Sequence, residues 1–137
     1  MTATDSVDKL AILAANPLFA GIGPKDLEPL ARDARIRSLG TNQPIFSKGD
    51  PGDSMMAVLD GRVRICCYSE EGKELTLNII SAGEFFGEIA LIDGEPRTAD
   101  AVTMEPCRLL VVDRRSFRPW VENRPAVGMA LLTMLCG

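Results

Sequence analysis

The residues best suited to chemistry lie in one short stretch, Phe86–Val102, which carries a glycine, a carboxylate and an arginine at close spacing. Gly87 allows the backbone to approach a bound group closely. The short helix predicted to begin at Glu88–Ala90 offers N–H groups at the positive end of a helix dipole. Nine residues after Glu88, Arg97 supplies a planar guanidinium that can donate to two oxygens of one anion. This combination predicts a binding site for a phosphate group.

Two other polar groups of the stretch suit the remainder of a sugar phosphate. Glu88 repels a phosphate, but its carboxylate can accept a hydrogen bond from a ribose hydroxyl, as acidic residues do in dinucleotide sites. Thr98 can donate its hydroxyl to a phosphate oxygen or to a base. Both residues are therefore candidate ligand contacts.

A structural role is the alternative for each charged residue taken alone. The acidic sequence neighbours of Arg97 are Asp93, Glu95 and Asp100. An arginine in such surroundings is commonly a solvated ion pair, which contributes about 0–1 kcal/mol to stability. Glu88 is also favoured at a helix start by the helix dipole alone. The full set of residues favours a ligand site over these alternatives.

The same stretch resembles the phosphate-binding cassette of cyclic-nucleotide-binding domains. The similarity includes the Phe-Gly-Glu opening at 86–88, the Ile-Ala-Leu turn at 89–91 and the Arg-Thr-Ala close at 97–99. It covers nearly the whole chain from Asn16–Phe19 onward, and it is greatest to the Crp/Fnr branch of bacterial transcription regulators. The ligand-binding residues that the resemblance implies are Phe86, Gly87, Glu88, Ile89, Ala90, Arg97, Thr98 and Ala99. The loop Gly49–Asp53 is also similar to the family, and we interpret it as a structural turn.

The resemblance implies a mainly β fold with flanking helices, an eight-stranded double-stranded β-helix or jelly-roll barrel. Members of this branch carry a long dimerisation helix after the barrel, with contacts to the purine, and then a helix-turn-helix that reads DNA. We therefore expect residues 1–137 to be one sensor domain, cut at the start of the dimerisation helix. The expected ligand is a cyclic nucleotide, cAMP in the first instance. The expected partner in the intact protein is a second copy, and DNA is bound only through a domain absent here.

Composition excludes several other classes of function. The sequence has no histidine, which removes Ser-His and Cys-His nucleophiles and the commonest metal ligand. We therefore expect neither a catalytic residue nor a metal site. A net charge of −4 and a pI of about 4.8 argue against DNA binding by this segment itself. The longest uncharged apolar stretch, 126–136, is shorter than the roughly 20 residues of a membrane-spanning helix. The N-terminus resembles no export signal, so we expect a cytoplasmic protein.

The four cysteines fit that location. Cys66, Cys67, Cys107 and Cys136 match no ligand spacing of zinc or iron–sulfur sites. We interpret them as reduced thiols that act as small buried hydrophobes.

The elements that must position the candidate site divide the chain into three parts. Helices are predicted over about 5–34, with one at Asp5–Ala15 behind an Asp5/Ser6 cap and another opened by Gly23-Pro24, in which Pro29 disturbs the first turns. Seven strands are predicted over about 35–113, close to the eight expected of a jelly-roll barrel. They are Arg35–Ser38, Pro44–Phe46, Met55–Leu59, Arg62–Tyr68, Glu74–Ile80, Thr98–Met104 and Arg108–Asp113.

Alternation and turn residues add detail to the strands. Val63, Ile65 and Cys67 are predicted to face the core in one strand, and Leu75, Leu77 and Ile79 in the next. Asp60-Gly61 has the composition of a two-residue hairpin turn between two strands.

Helix returns over about 114–137, first at Arg115–Trp120 and then at Asn123–Gly137. Asn123 is the predicted cap of the last helix, with Pro125 in its first turn. Residues 126–136 carry no charge on any face, so this helix must be buried against the barrel or against a partner chain.

Two functions of other classes stay open beside the sensor. One is a structural or dimerisation module that keeps the fold without binding a ligand. The other is a cupin-like metal enzyme, against which the absence of histidine argues directly. The sequence does not decide between cAMP, cGMP and another ligand.

Overall fold

The computed structural model describes residues 8–136, with side chains through Thr133. Two four-stranded antiparallel sheets face each other within this range, with strand orders β1-β8-β3-β6 and β2-β7-β4-β5. The strands are β1 Arg35–Leu39, β2 Pro44–Phe46, β3 Ser54–Asp60, β4 Arg62–Tyr68, β5 Glu74–Ser81, β6 Phe85–Phe86, β7 Asp100–Thr103 and β8 Cys107–Asp113. This is the predicted jelly roll, and β2 and β4 have the predicted bounds.

The predicted hairpin at Asp60-Gly61 is wrong. Strand β3 pairs with β6 and β8, whereas β4 pairs with β5 and β7, so the turn carries the chain from one sheet to the other. Gly61 has a φ of 87°, and a Cβ there would lie 2.5 Å from the carbonyl oxygen of Pro106. The passage of the chain from one sheet to the other therefore requires glycine at this position; a hairpin between β3 and β4 does not.

The predicted inner face of β5 is also wrong. The three residues expected in the core, Leu75, Leu77 and Ile79, are 59%, 55% and 42% exposed. The side chains that face the barrel interior are instead those of Asn78 and Ile80. A β-bulge against β4 shifts the register in mid-strand, so no single alternation holds along β5. In β4 the prediction is correct for Val63 and Ile65, which pack in the core. It is wrong for Cys67, which is half-buried, whereas its neighbour Cys66 is fully buried.

The helices lie at 9–33, 89–93 and 114–136. They are α1 Lys9–Ala14, α2 Pro24–Asp33, α3 Ile89–Asp93, α4 Arg114–Glu122 and α5 Pro125–Cys136, with a 3₁₀ turn at Pro17–Phe19. The cap of α1 is Asp8, whose carboxylate accepts a hydrogen bond from the Ala11 N–H at 3.0 Å. The predicted cap at Asp5/Ser6 lies outside the described residues. Helix α2 tolerates Pro29 because Leu27, Leu30 and Ala31 bury its apolar face.

The N-terminal and C-terminal helices pack together on the outside of the barrel. Trp120 lies at their centre, with ring centroids 6.0 Å from Phe19 and 5.8 Å from Phe117. Asn123 does not begin α5 as predicted. It ends α4, where its side-chain amide donates to the carbonyl of Pro119 at 2.8 Å.

Helix α5 buries only part of its apolar surface within this chain. Val127 and Leu131 are buried in the helical core, whereas Met129 and Leu132 are 64% and 56% exposed. No helix among residues 8–136 combines the length and the apolar character needed to cross a membrane.

The described cysteines are free thiols, as expected. Cys66 and Cys107 are buried and Cys67 is half-buried. The side chain of Cys136 lies outside the described residues. Burial raises the pKa of the Cys66 and Cys107 thiols.

Candidate functional site

A cavity of about 420 Å³ opens where the segment after β6 meets the inner face of the β4–β5 pair. The eight residues predicted as ligand contacts, Phe86, Gly87, Glu88, Ile89, Ala90, Arg97, Thr98 and Ala99, all line it. These residues come together because the chain reverses at α3. Residues 86–88 lie at the barrel wall at the end of β6, and residues 94–99 return along the same wall to β7. Glu88 and Arg97, nine positions apart in the sequence, thus share one cavity.

Arg97 is buried, with 8% of its surface exposed. Its Nη2 donates to the carbonyl oxygen of Ser54 at 2.7 Å and to the Ser54 hydroxyl at 3.1 Å. Its Nη1 donates to the carbonyl of Gly87 at 3.4 Å. The Nε–H is buried and has no partner within the described residues. The guanidinium is therefore fixed in place and retains an unused donor.

The guanidinium charge of Arg97 is not neutralised by a carboxylate. Arg97 takes part in no ion pair within residues 8–136. Desolvation lowers its pKa, and the charges of Asp53 and Asp50 offset part of that effect. An arginine nevertheless stays protonated in proteins. The site thus holds a buried cation, which is a costly arrangement in the absence of an anion.

The solvated ion pair considered for Arg97 is excluded by these contacts. Asp93 accepts a hydrogen bond from the N–H of Glu95 at 2.9 Å, and Asp100 accepts one from the N–H of Lys48 at 2.6 Å. Both carboxylates order the local backbone instead of pairing with the guanidinium.

An aromatic ring completes the surroundings of Arg97. The guanidinium carbon lies 4.2 Å from the ring centroid of Phe46, within the range of a cation–π contact. Phe46 packs in turn against Phe86, with ring centroids 6.1 Å apart. The ring thus forms part of the cavity wall and also supports the cation.

Gly87 brings the backbone next to this cation. Its φ is 78°, and a Cβ at this position would lie 2.7 Å from Nη1 of Arg97. Both the conformation and the space therefore require glycine. Helix α3 follows directly, and the N–H groups of Glu88 and Ile89 donate to no backbone carbonyl within the described residues.

The other two polar side chains of the prediction face the cavity without a fixed partner. Glu88 is partly exposed and makes no side-chain cap to α3. Thr98 is exposed at the cavity rim. Their carboxylate and hydroxyl groups are therefore free to contact a bound molecule.

The loop Gly49–Asp53 has the structural role that we predicted. The Arg97 N–H donates to the carbonyl of Asp50 at 2.9 Å, and the Gly49 N–H donates to the carbonyl of Arg97 at 2.8 Å. A Cβ at Gly52 would collide with the carbonyl oxygen of Glu95 and would lie 2.9 Å from the Cβ of Ala90. The loop holds the backbone of Arg97 and is not part of the cavity lining.

Sequence reasoning missed the residues that strands β2–β5 contribute. They are Phe46 and Ser54, which hold Arg97, and Ile65, Asn78 and Ile80, which line the cavity from β4 and β5. Ser54 gives no signal, because it lies 43 positions from Arg97 and acts mainly through its carbonyl. Asn78 and Ile80 could have been predicted from the alternation of β5, if its even-numbered positions had been taken as the inner face.

Comparisons with known proteins agree with this geometry. The family model described as "Cyclic nucleotide-binding domain" matches residues 36–124. A CRP-like cAMP-activated global transcriptional regulator of Mycobacterium tuberculosis is 31% identical over 90% of this chain, which spans 55% of that protein. A cyclic nucleotide-gated potassium channel of Mesorhizobium japonicum is 33% identical, also over 90% of this chain, but this match covers 33% of the channel.

One solved structure matches over most of both chains. It is the N-terminal domain of a transcriptional regulator from Streptomyces coelicolor, with a TM-score of 0.83 and 32% identity. The match covers 91% of this chain and 87% of that one. The chain therefore belongs to the cyclic nucleotide-binding domain family.

Proposed function

We propose that this chain senses cAMP in the cavity between α3 and the β4–β5 pair. The observation that carries the proposal is the buried Arg97 guanidinium, which has an unused Nε–H and no carboxylate partner within the described residues. A cyclic phosphodiester supplies the missing negative charge, and its oxygens are acceptors for a charge-assisted hydrogen bond. The name of the Mycobacterium tuberculosis relative supports cAMP as the ligand.

Each remaining group has a role in this proposal. The free N–H groups of Glu88 and Ile89 add donors for the phosphate, next to the close backbone approach at Gly87. The Glu88 carboxylate accepts from the ribose 2′-hydroxyl. Thr98 donates to a phosphate oxygen or to the base. Phe86, Ala90 and Ala99 shape the wall.

Ligand binding is proposed to act through the C-terminal helices. Leu91 of α3 packs in the same core as Phe117 of α4 and Leu131 of α5. Arg114 of α4 lies against Gly94, where a Cβ would be 2.9 Å from its Cζ. A ligand that favours one position of α3 therefore shifts the population of α4 and α5 positions. In the intact cytoplasmic regulator, this change is passed to a homodimer and to a DNA-binding domain outside this chain. The chain forms and breaks no covalent bond.

Isothermal titration calorimetry with cAMP tests the proposal. Wild type is expected to bind, and Arg97→Ala is expected to bind about 10- to 100-fold more weakly because it loses a charge-assisted hydrogen bond. Arg62→Ala is the matched control, since Arg62 makes an exposed ion pair with Glu105 away from the cavity. Absence of heat from both cAMP and cGMP with folded wild type would overturn the proposal and favour the ligand-free structural module.

A further inference from the structure

A second concave surface, which we call the α3–α5 groove, lies between α3, α4 and α5 and has a volume of about 510 Å³. A volume of this size is typical of a site for a small molecule. Its apolar walls are formed by Leu91, Ile92, Phe117, Val121, Met129 and Leu132. Of these, Ile92, Met129 and Leu132 are 41%, 64% and 56% exposed, so the described part of the chain does not fill the groove.

The groove and the cavity at Arg97 share α3 as a wall. Ala90 and Asp93 of this helix line the cavity, whereas Leu91 and Ile92 line the groove. The groove therefore lies outside the nucleotide site proposed above, and a ligand in it would be a second ligand.

The charged side chains of the groove leave one cation without a counter-ion. Arg114, Arg118 and Glu122 line it together with the apolar residues. Arg118 and Glu122 lie one turn apart on α4 and pair with each other, with 3.4 Å between Nη2 and Oε1. Arg114 takes part in no ion pair among residues 8–133. The groove thus combines apolar walls with one uncompensated positive charge.

The guanidinium of Arg114 is held in place and lacks an acceptor. Arg114 begins α4, and its backbone N–H donates to the carbonyl of Asp53 at 2.7 Å. The guanidinium lies against Gly94 at the end of α3, where a Cβ would be 2.9 Å from Cζ. Its Nε–H is buried and has no hydrogen-bond partner in the part of the chain that the structure describes. A buried donor without an acceptor is unfavourable, so a ligand that supplies an acceptor stabilises this arrangement.

We propose that the α3–α5 groove binds a monomeric alkyl carboxylate. The carboxylate pairs with Arg114, because an arginine and a carboxylate form charge-assisted hydrogen bonds. The alkyl chain lies along Val121, Met129 and the other apolar walls, where each buried methylene adds to the affinity. A sugar or a nucleotide base would leave most of its polar groups without partners on these walls. The site is independent of the proposed function, since it uses neither Arg97 nor the cavity around it.

Calorimetry with octanoate, below its micelle concentration, tests the site. Wild type is expected to bind one octanoate per chain. Octanol has the same alkyl chain without the charge, and we expect it to bind about 5- to 100-fold more weakly. Arg114→Gln should bind octanoate more weakly by a similar factor and should bind octanol with the affinity of wild type. The two ligands on the two proteins form a cycle that isolates the contribution of the ion pair.

Three further variants locate the ligand. Arg115→Gln makes the same substitution at the next residue of α4, which is exposed and does not line the groove, so its Kd for octanoate should equal that of wild type. Arg97→Ala should also keep the Kd of wild type, since Arg97 lies in the other cavity. Met129→Glu places a carboxylate at an exposed position of the groove and should abolish octanoate binding without unfolding the chain.

The proposal is overturned if folded wild type binds no octanoate, or if Arg114→Gln and Met129→Glu bind it as wild type does. Loss of octanoate binding in Arg97→Ala also overturns it, because the carboxylate would then occupy the nucleotide cavity. Absence of octanoate binding, together with wild-type dimers that Met129→Glu dissociates in sedimentation, would assign the groove to a second copy of the chain. Titrations with cAMP are separate, and their failure would overturn the proposed function while leaving the groove site intact.

Discussion

Uncharged groups hold Arg97 in the cavity. The carbonyl and hydroxyl of Ser54 and the carbonyl of Gly87 accept its hydrogen bonds, and the ring of Phe46 supports its face. Each of these contacts fixes the guanidinium without cancelling its charge. Because Coulomb attraction is stronger in surroundings of low dielectric constant, an anion that reaches this buried cation is held more firmly than on the surface.

Loss of the Phe46 ring should weaken ligand binding although this residue carries no charge. A cation–π contact contributes about 0.5–2 kcal/mol, so Phe46→Leu is expected to raise the Kd for cAMP about 3- to 30-fold. Phe46→Tyr retains the ring and should bind like wild type. Titration calorimetry distinguishes the two variants. Equal Kd values for Phe46→Leu and wild type would show that the hydrogen bonds to Ser54 and Gly87 are enough to position Arg97.

Among single residues, the sequence identified those that one contiguous stretch supplies. Gly87, Glu88 and Arg97 could be found because glycine conformation, helix start and guanidinium have recognisable types and spacing. Phe46 and Ser54 could not, because they reach Arg97 only after distant strands have been paired. A sequence pattern within one segment contains no information on that pairing.

Elements position the site through a tight contact between two loops. The 49–53 loop and the loop after α3 exchange backbone hydrogen bonds at Arg97, and Gly52 lies directly beneath the carbonyl of Glu95. The obstructing atom belongs to the backbone, so it cannot be relieved by the rotation of a side chain. The position of α3 over the cavity therefore depends on the absence of a side chain at residue 52.

Gly52→Ala is accordingly expected to destabilise the fold and to weaken cAMP binding, although Gly52 does not line the cavity. Overpacking of this kind costs about 1–3 kcal/mol. Urea unfolding gives the first quantity and calorimetry the second. Gly23→Ala is the control, because a Cβ there meets no atom within 4 Å. If Gly52→Ala had the stability and affinity of wild type, the two loops would be able to separate freely.

At the level of elements, prediction succeeded where local pattern determines the structure. The bounds of β2 and β4 and the buried face of α2 follow from periodicity and turn residues. It failed at β5, where a bulge breaks the alternation, and at Asp60-Gly61, where the chain changes sheet. Both failures concern how a strand pairs with its partner strands. The strand propensity of a single segment does not determine that pairing.

At the scale of the whole molecule, the described side chains of residues 8–133 form two cores, one inside the barrel and one beneath the helices. The titration behaviour of the protein is unusual because the sequence has no histidine. No side chain therefore has an ordinary pKa between 5 and 8. Above pH 8, the first side chains to lose a proton include the buried cysteine thiols.

Stability should accordingly be level from pH 6 to 8 and fall above about pH 8.5, the ordinary pKa of a thiol. Burial raises the pKa of Cys66 and Cys107 in the folded state, so the unfolded chain releases these protons first and gains stability relative to the fold. Urea unfolding at pH 7 and 9.5 under reducing conditions measures the loss. The double variant Cys66→Ala/Cys107→Ala should lose less between the two pH values than Val63→Ala, a control at another buried site. Equal losses would assign the alkaline effect to other groups.

The bulge in β5 also affects how the domain behaves in concentrated solution. This strand forms one edge of its sheet and displays exposed leucines, a combination that invites strands of other molecules to add to it. The break in register interrupts the regular row of backbone donors and acceptors that such an addition needs. The bulge thus guards the apolar edge against fibre-like self-association.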